Sequence, residues 1–336
     1  MGFVKWSMKD KGVNSNRNKD DSLVSTHHSS LLLRIADVNI ELLGSDANIK
    51  LGLEGALKQF VVEEGEPDIR VQARWDDLSR KNNGKLIFDS GELWKLYSEN
   101  GSHCYRFTSP IMGAHPYKMA TFTKEFDSGE VYLHESYFNQ DKPTYPLEYP
   151  LDELIINNFL ARGKGVEVHS CGILNSQGQG YLFVGQSTAG KTTMAKLWEN
   201  EPGVKVLSDD RIILRRMGAR IWMYGTPWHG EAMLASSSRA PLTAVYFLEK
   251  GKKNELVVQK PSDSISRLFA CSFPPFYNRD ALDFSLSFLE DVVKNIPCSE
   301  LKFTPDKRVV EFIKGERFTR LRQNAPCGSM GRDGER

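Results

Sequence analysis

The segment "VGQSTAGKTT", residues 184–193, determines how the second half of the chain is interpreted. Gly185 and Gly190 bracket four residues, and Lys191-Thr192 follow at once. This spacing, G-x-x-x-x-G-K-[ST], is typical of loops whose backbone N–H groups surround phosphate oxygens. Such a loop needs a strand before it and a helix after it, since the positive end of the helix contributes to anion binding.

Both flanking elements are predicted. Residues 181–184 are a short apolar run that reads as a strand, and residues 192–199 are helix formers with three apolar side chains to bury. Lys191 is placed to reach the β- and γ-phosphates, and the Thr192 hydroxyl to coordinate Mg²⁺. The sequence therefore predicts binding of a nucleoside triphosphate with Mg²⁺. The predicted nucleotide-binding residues are Gly185, Gln186, Ser187, Thr188, Ala189, Gly190, Lys191, Thr192 and Thr193.

An acidic pair follows in "VKVLSDDRIIL", residues 204–214, where Asp209-Asp210 end a short apolar run. The carboxyl ends of strands line the ligand crevice of an open α/β sheet. Carboxylates there can hold Mg²⁺ and accept the proton of an attacking hydroxyl. The other interpretation is a solvated Asp-Asp turn. The pair comes on the next strand after the loop helix, so we expect the two strands to be neighbours in the sheet.

Composition excludes several function classes. The chain has 336 residues, with Lys+Arg at 44 against Asp+Glu at 43 and a net charge of +1, which gives no global attraction to nucleic acid. No run approaches the roughly 18 apolar residues of a membrane span. The N-terminus lacks the apolar core of a signal peptide. Five scattered cysteines without C-x-x-C spacing indicate reduced thiols and a cytoplasmic location.

The chain divides into four predicted parts. Residues 1–30 are polar and are predicted to be a disordered tail. Residues 31–145 alternate short β-like runs with turn signals and are predicted to form a smaller β-rich α+β domain. Residues 146–314 change to an α/β pattern, beginning with a helix from Leu151 to near Gly163, and residues 315–336 read as a flexible basic tail. An N-K-x-D string at residues 18–21, used elsewhere to read guanine, lies upstream of the loop in the wrong order.

The motif order of the second half resembles the catalytic domain of the HPr serine kinase/phosphorylase family, which is related to ATP-dependent phosphoenolpyruvate carboxykinases. The matching residues are His-x-x-Gly at 169–172, the loop at 185–192 and "DDR" at 209–211. The segment "YGTPWHGE", residues 224–231, is similar to a motif of an HPr-kinase-like branch found beside peptide-modifying gene cassettes of the lasso-peptide and SynChlorMet types. The resemblance covers roughly residues 145–312.

The resemblance implies a role for each matching residue. Lys191 and Thr192 would hold phosphate and Mg²⁺, Asp209 would be the general base, and Asp210 would lie near the metal. His169 would assist proton transfer. Candidate acceptor contacts are His229, Glu231 and Arg211. The Gly-Arg-Asn signature that follows the acidic pair in HPr kinases is missing here, so recognition of HPr and phosphorolysis are not expected.

The implied fold is an α/β P-loop catalytic domain of the HPr kinase/carboxykinase type, preceded by the smaller β-rich domain. The implied function is Mg²⁺-dependent transfer of phosphate from ATP to a Ser or Thr hydroxyl of a peptide or protein, with a small-molecule acceptor ranked lower. The β-rich domain, from its position, is a candidate for docking the acceptor. Two alternatives stay open: a nucleotide-binding regulator without phosphotransfer, and a carboxykinase-like small-molecule enzyme. The sequence is compatible with homo-oligomers. It does not identify the acceptor.

Overall fold

A computed structural model describes residues 30–46, 48–79, 84–91, 93–110, 112–113 and 115–323, with side chains up to residue 315. The predicted disordered tail, apart from Ser30, and the N-K-x-D string at 18–21 lie outside the described residues. So do residues 324–336, whereas residues 315–323 of the predicted basic tail belong to the last helix.

The β-rich region forms one eight-stranded sheet in the order β1-β2-β3-β8-β7-β6-β5-β4. The β2–β3 and β3–β8 pairs are parallel and the other pairs antiparallel. Alternate residues of β1 to β3 are buried, which gives the sheet one apolar face. A 3-10 helix, Gly55–Phe60, lies between β2 and β3. The strands are β1 Ser30–Ile35, β2 Val38–Gly44, β3 Ile69–Asp76, β4 Lys85–Asp89, β5 Trp94–Glu99, β6 Ser102–Thr108, β7 Pro116–Phe122 and β8 Ser128–His134.

Up to residue 323, the second half contains eight more strands and five helices. The strands are β9 Val166–Leu174, β10 Gly180–Val184, β11 Lys205–Ser208, β12 Arg211–Met217, β13 Arg220–Gly225, β14 Arg239–Lys250, β15 Glu255–Val258 and β16 Cys298–Phe303. The helices are α1 Leu151–Leu160, α2 Lys191–Glu199, α3 Pro261–Ala270, α4 Arg279–Asn295 and α5 Arg308–Gln323. Helix α1 begins at Leu151 as predicted.

Strand pairing in this half closes on itself. β9 pairs with β10, β10 with β14, β14 with β13, β13 with β12, and β12 with β9 again. β16 and β15 extend the sheet beyond β14. β11 and β12 lie one after the other along the same strand, β9, whereas β10 also pairs with β9. The expectation that the loop strand β10 and the acidic strand β11 are direct neighbours was wrong, because β9 is the strand that both of them pair with.

The first sheet and the α/β half share a hydrophobic core. One cluster joins the apolar face of the first sheet, including Leu33 and Phe122, to Ile155 of α1 and to Ile213 and Tyr224 of β12 and β13. Two further clusters lie on the two faces of the second sheet: α3 and α4 pack on one face, and α2 and α5 on the other. The loop between β10 and α2 therefore rests on an α/β/α layered support.

Candidate active site

The glycine-rich loop joins the fully buried strand β10 to helix α2. Gly190, the residue before the helix, has φ +108, a left-handed conformation that favours glycine. A Cβ added there would lie 2.7 Å from Phe303 Cζ, so space as well as backbone geometry requires glycine. Thr188 also has a positive φ, +72, which is unusual for a β-branched residue. Gln186, Ser187 and Thr188 are exposed at the tip of the loop.

Lys191 is the first residue of α2, and its side chain turns back over the loop. Its Nζ donates to the carbonyl oxygens of Gly185 at 2.8 Å and Gln186 at 3.1 Å. Burial lowers the pKa of Lys191, while the negative charge of Asp210 opposes that shift. Thr192 and Thr193 follow in the first turn of the helix, both half-buried. The loop thus holds a buried ammonium group against its own backbone carbonyls.

A cavity of about 300 Å³ opens beside the loop. Its other wall is formed by β14 and α3, including Phe247, Arg267 and Cys271. The Arg267 guanidinium lies 4.7 Å from the centre of the Phe247 ring and donates to Glu300 at 2.7 Å. Sequence reasoning missed Arg267, because it lies on a helix outside every recognised motif. Arg267 and Glu249 are the charged residues of this lining, and Arg267 is paired with Glu300.

His169 and Asp210 form a hydrogen-bonded pair at the junction of β9 and β12, where His169 Nε2 lies 2.8 Å from Asp210 Oδ1. Burial lowers the pKa of His169, an effect that the hydrogen bond to Asp210 only partly offsets. Burial also acts to raise the pKa of Asp210, but the His169 hydrogen bond and the charge of Arg211 outweigh it and keep that pKa below its ordinary value. At neutral pH the pair is therefore a neutral imidazole and a carboxylate.

Asp209 has a different environment from Asp210. Its side chain is 1% exposed, Oδ1 accepts from the Gly230 N–H at 2.8 Å, and Oδ2 accepts from the Ala232 N–H at 2.9 Å. Both carboxylate oxygens thus hold the backbone of the segment after β13. Of the two predicted acids, Asp210 is the one that the structure brings beside His169 and Lys191.

Arg211 lies among three carboxylates. Its Nε donates to Glu153 at 2.8 Å and lies 3.8 Å from Glu167, and its Nη1 contacts Asp210. Burial acts to lower the pKa of Arg211, but these carboxylates raise it above its ordinary value. Burial and the neighbouring Glu153 charge raise the pKa of Glu167, which also accepts from the Asn157 amide. Arg211 therefore orients Asp210, and it is less suited to the predicted acceptor contact.

The two remaining predicted residues, His229 and Glu231, lie on the segment that Asp209 holds. His229 is half-buried, with Nδ1 3.2 Å from the carbonyl oxygen of Gly230. Glu231 is exposed. Glu153 and Glu167 were not anticipated from the sequence, since Glu153 stands in an ordinary helix pattern and Glu167 within an apolar strand.

The oxygen donors present suit a nucleotide-borne Mg²⁺. Among the residues that the structure describes, no group of three or more His, Cys, Asp or Glu side chains is placed to hold a metal ion. Mg²⁺ that arrives with phosphates takes only one or two protein oxygens. The Asp210 oxygens each have one partner, His169 or Arg211, which leaves lone pairs free on both. Thr192, in the first turn of α2, carries the other predicted oxygen donor.

No family model matches the sequence, and no curated protein matches it. The solved structure of the HPr(Ser) kinase/phosphatase from Coxiella burnetii aligns with 47% of this chain and 92% of that chain, at 11% identity and a TM-score of 0.29. A likeness this weak supports no conclusion about fold or function. Within the described part of the chain, no helix has the length and apolar character to cross a membrane.

Proposed function

We propose that the protein is a Mg²⁺-dependent phosphotransferase that moves the γ-phosphoryl group of ATP to a hydroxyl acceptor. The acceptor hydroxyl belongs to a Ser or Thr of a peptide or protein, as in an HPr-kinase-like serine kinase. The observation that carries the proposal is the geometry of the loop and the neighbouring pair. The loop joins the buried strand β10 to α2, with Lys191 as the first helical residue, and the hydrogen-bonded His169–Asp210 pair is close enough to Lys191 to interact with it electrostatically.

Each part of the site has a role in the proposed transfer. The backbone N–H groups of the loop and the N-terminus of α2 bind the phosphate oxygens, and Lys191 leaves the carbonyls of Gly185 and Gln186 to contact the β- and γ-phosphates. Thr192 is the candidate Mg²⁺ ligand, and the ion would neutralise phosphate charge. A carboxylate bound to Mg²⁺ would be a poor base, so Asp210 is assigned to the proton instead. Arg267 adds a positive charge on the opposite wall.

The proton of the acceptor hydroxyl goes to the His169–Asp210 pair. Asp210 is ionised and its neighbour His169 is neutral, so the pair can take up one proton. We assign the general base to Asp210 rather than to Asp209, because both Asp209 oxygens accept backbone hydrogen bonds and its side chain is buried. Asp209 instead holds the segment that contains His229 and Glu231.

Of the two alternatives, the nucleotide-binding regulator remains the second candidate, since a loop with a buried lysine would serve a sensor equally well. The carboxykinase-like alternative has less support. It calls for a cluster of metal-ligating side chains, which the described residues do not contain, and for an arginine free to bind an acid, whereas Arg211 already contacts three carboxylates.

The deciding experiment follows label from γ-³²P-ATP with Mg²⁺ to serine-containing peptides, with MgATP binding measured separately by calorimetry. The wild type is compared with Asp210→Asn and with Lys191→Met. Label on a peptide hydroxyl that is lost in both variants supports the kinase. MgATP binding without transfer to any acceptor would leave the sensor as the function.

A further inference from the structure

A second cavity, of about 130 Å³, lies next to the proposed reaction centre. It is lined by Phe88 and Trp94 of the first sheet, by Leu154 of α1, and by Phe273, Phe276 and Tyr277 of the segment between α3 and α4. The cavity is thus built where the β-rich region meets the α/β half. Five of these six side chains are aromatic, and most of the wall is apolar.

The wall of this aromatic cavity carries a single charged side chain, Glu153. Its Oε1 accepts from Arg211 at 2.8 Å, and its Oε2 is buried without a hydrogen-bond partner. The polar groups of Asn158 and Tyr277 are bonded to each other, Tyr277 donating to Asn158 Oδ1 at 2.7 Å. Asn158 Nδ2 in turn donates to Tyr105 at 3.1 Å. An anionic occupant would face only the Glu153 carboxylate, and most of the wall gives a polar group no partner, so the cavity favours a neutral, mainly apolar group.

Phe273 connects the aromatic cavity to the reacting groups. Its ring lies 4.2 Å from the Arg211 guanidinium carbon and 6.0 Å from the centre of the His169 ring. The same segment of chain serves both cavities, since Cys271 lines the one beside the loop and residues 273–277 line the aromatic one. A group held in the aromatic cavity is therefore separated from the His169–Asp210 pair by about one layer of side chains.

We propose that the aromatic cavity is the specificity subsite of the acceptor, and that it holds one aromatic side chain adjacent in sequence to the hydroxyl that receives the phosphoryl group. This inference rests on the proposed function. An engineered apolar cavity of about 150 Å³ binds benzene, so a cavity of 130 Å³ matches a single ring and excludes a whole secondary-structure element. The ring-lined wall supplies edge and face contacts for it.

The test uses two probe peptides, Gly-Ser-(4-fluoro-Phe)-Gly-Gly and its analogue with Gly in place of the fluorinated residue. Binding of the first is followed by ¹⁹F NMR on the full chain with Mg²⁺ and a non-hydrolysable ATP analogue. Transfer of γ-³²P to both peptides is measured in parallel. Phe276→Ala removes one aromatic ring from the cavity wall, at a residue that is 57% exposed. Leu154→Trp fills the cavity. Val258→Ala, at a position 82% exposed on β15, is the matched control.

We expect the fluorinated peptide to bind the wild type and the control, and its kcat/KM to exceed that of the glycine peptide by about tenfold or more, the usual discrimination of an apolar pocket. Phe276→Ala and Leu154→Trp should each reduce the ratio of the two kcat/KM values towards one, while MgATP binding stays unchanged. Equal binding of the fluorinated peptide to the wild type and to Phe276→Ala, or none to the wild type, overturns the subsite. A third outcome is that both variants lose binding of the fluorinated peptide while the protein binds MgATP and transfers no label to either peptide. This outcome overturns the proposed function instead, and with it the assignment of the cavity to an acceptor.

Discussion

His169 and Asp210 meet at a break in the pairing along β9, with Nε2 and Oδ1 2.8 Å apart. β12 pairs with the first half of β9 and β11 with the second, and Asp209-Asp210 occupy the interval between them. The Ser170 N–H donates to the main-chain oxygen of Asp210 at 3.0 Å, which fixes the break to β9. The interruption turns the two neighbouring carboxylates towards different partners, and this division of roles can be tested.

Asp210→Asn should abolish transfer while keeping the fold. The amide preserves the shape of the side chain but removes the charge beside Lys191, and loss of a general base costs about 10² to 10⁴ in rate. Asp209→Asn should act on stability, since an amide can accept from only one of the Gly230 and Ala232 N–H groups, at a cost of about 1–3 kcal/mol. Thermal unfolding and label transfer on both variants separate the roles. Full loss of transfer in Asp209→Asn with an unchanged melting temperature would return the base to Asp209.

Lys191→Met should weaken MgATP binding by at least about tenfold, or 1.4 kcal/mol, because the ammonium that contacts the phosphates is lost. Calorimetric titration with MgATP measures it. Lys196→Met, an exposed lysine on the same helix, is the control and should bind as the wild type does. If both variants bind MgATP with wild-type affinity, the loop does not hold a triphosphate through Lys191.

Gly190→Ala should destabilise the protein and impair nucleotide binding, because the added Cβ meets Phe303 at 2.7 Å and the residue has φ +108. Backbone strain of this kind costs about 1–3 kcal/mol before the clash is added. Gly178→Ala is the matched control, since Gly178 has φ +76 and an added Cβ would meet no atom within 4 Å. Urea unfolding should show a clearly larger loss for Gly190→Ala. Equal losses would mean that strain alone, without the Phe303 contact, determines the requirement for glycine.

Asp152 should make stability fall as pH rises. Burial raises its pKa to about 7. The nearby Trp228 side chain, the hydrogen bond from the Glu153 N–H and the charge of Lys118 oppose this rise, and the Glu153 charge adds to it. Between about pH 4 and pH 7 the folded state therefore keeps a proton that the unfolded chain has released. The free energy of unfolding then decreases by on the order of 1 kcal/mol per pH unit in this window.

Asp152→Asn cannot ionise, so its unfolding free energy should lose this part of the pH dependence. Urea unfolding at pH 5, 6, 7 and 8 measures the difference in slope between variant and wild type. Asp283→Asn, at a side chain 69% exposed, controls for removal of one carboxylate. Identical slopes for the wild type and Asp152→Asn would show that Asp152 is ionised in the folded protein throughout this range.

Local patterns were enough to predict several elements. The strand–loop–helix around Lys191 and the start of α1 at Leu151 follow from short-range periodicity and from turn and proline signals, and the structure has both. The strands of the first half were predicted from alternation in the same way. Their order was not, because the parallel β3–β8 pair joins segments far apart in the chain.

What the sequence determined by itself is the set of chemical groups and the backbone that presents them: a glycine-rich loop with a lysine, an acidic pair and a histidine on a strand. The tertiary structure decided which of two adjacent aspartates faces the histidine, which carboxylates surround Arg211, and where Arg267 and the aromatic cavity lie. The physical reason is the distance along the chain over which each kind of interaction acts. Loop and helix conformations depend on neighbours in the chain, whereas burial, charge pairing and cavity walls depend on β9, α1 and residues 273–277, which only folding brings together.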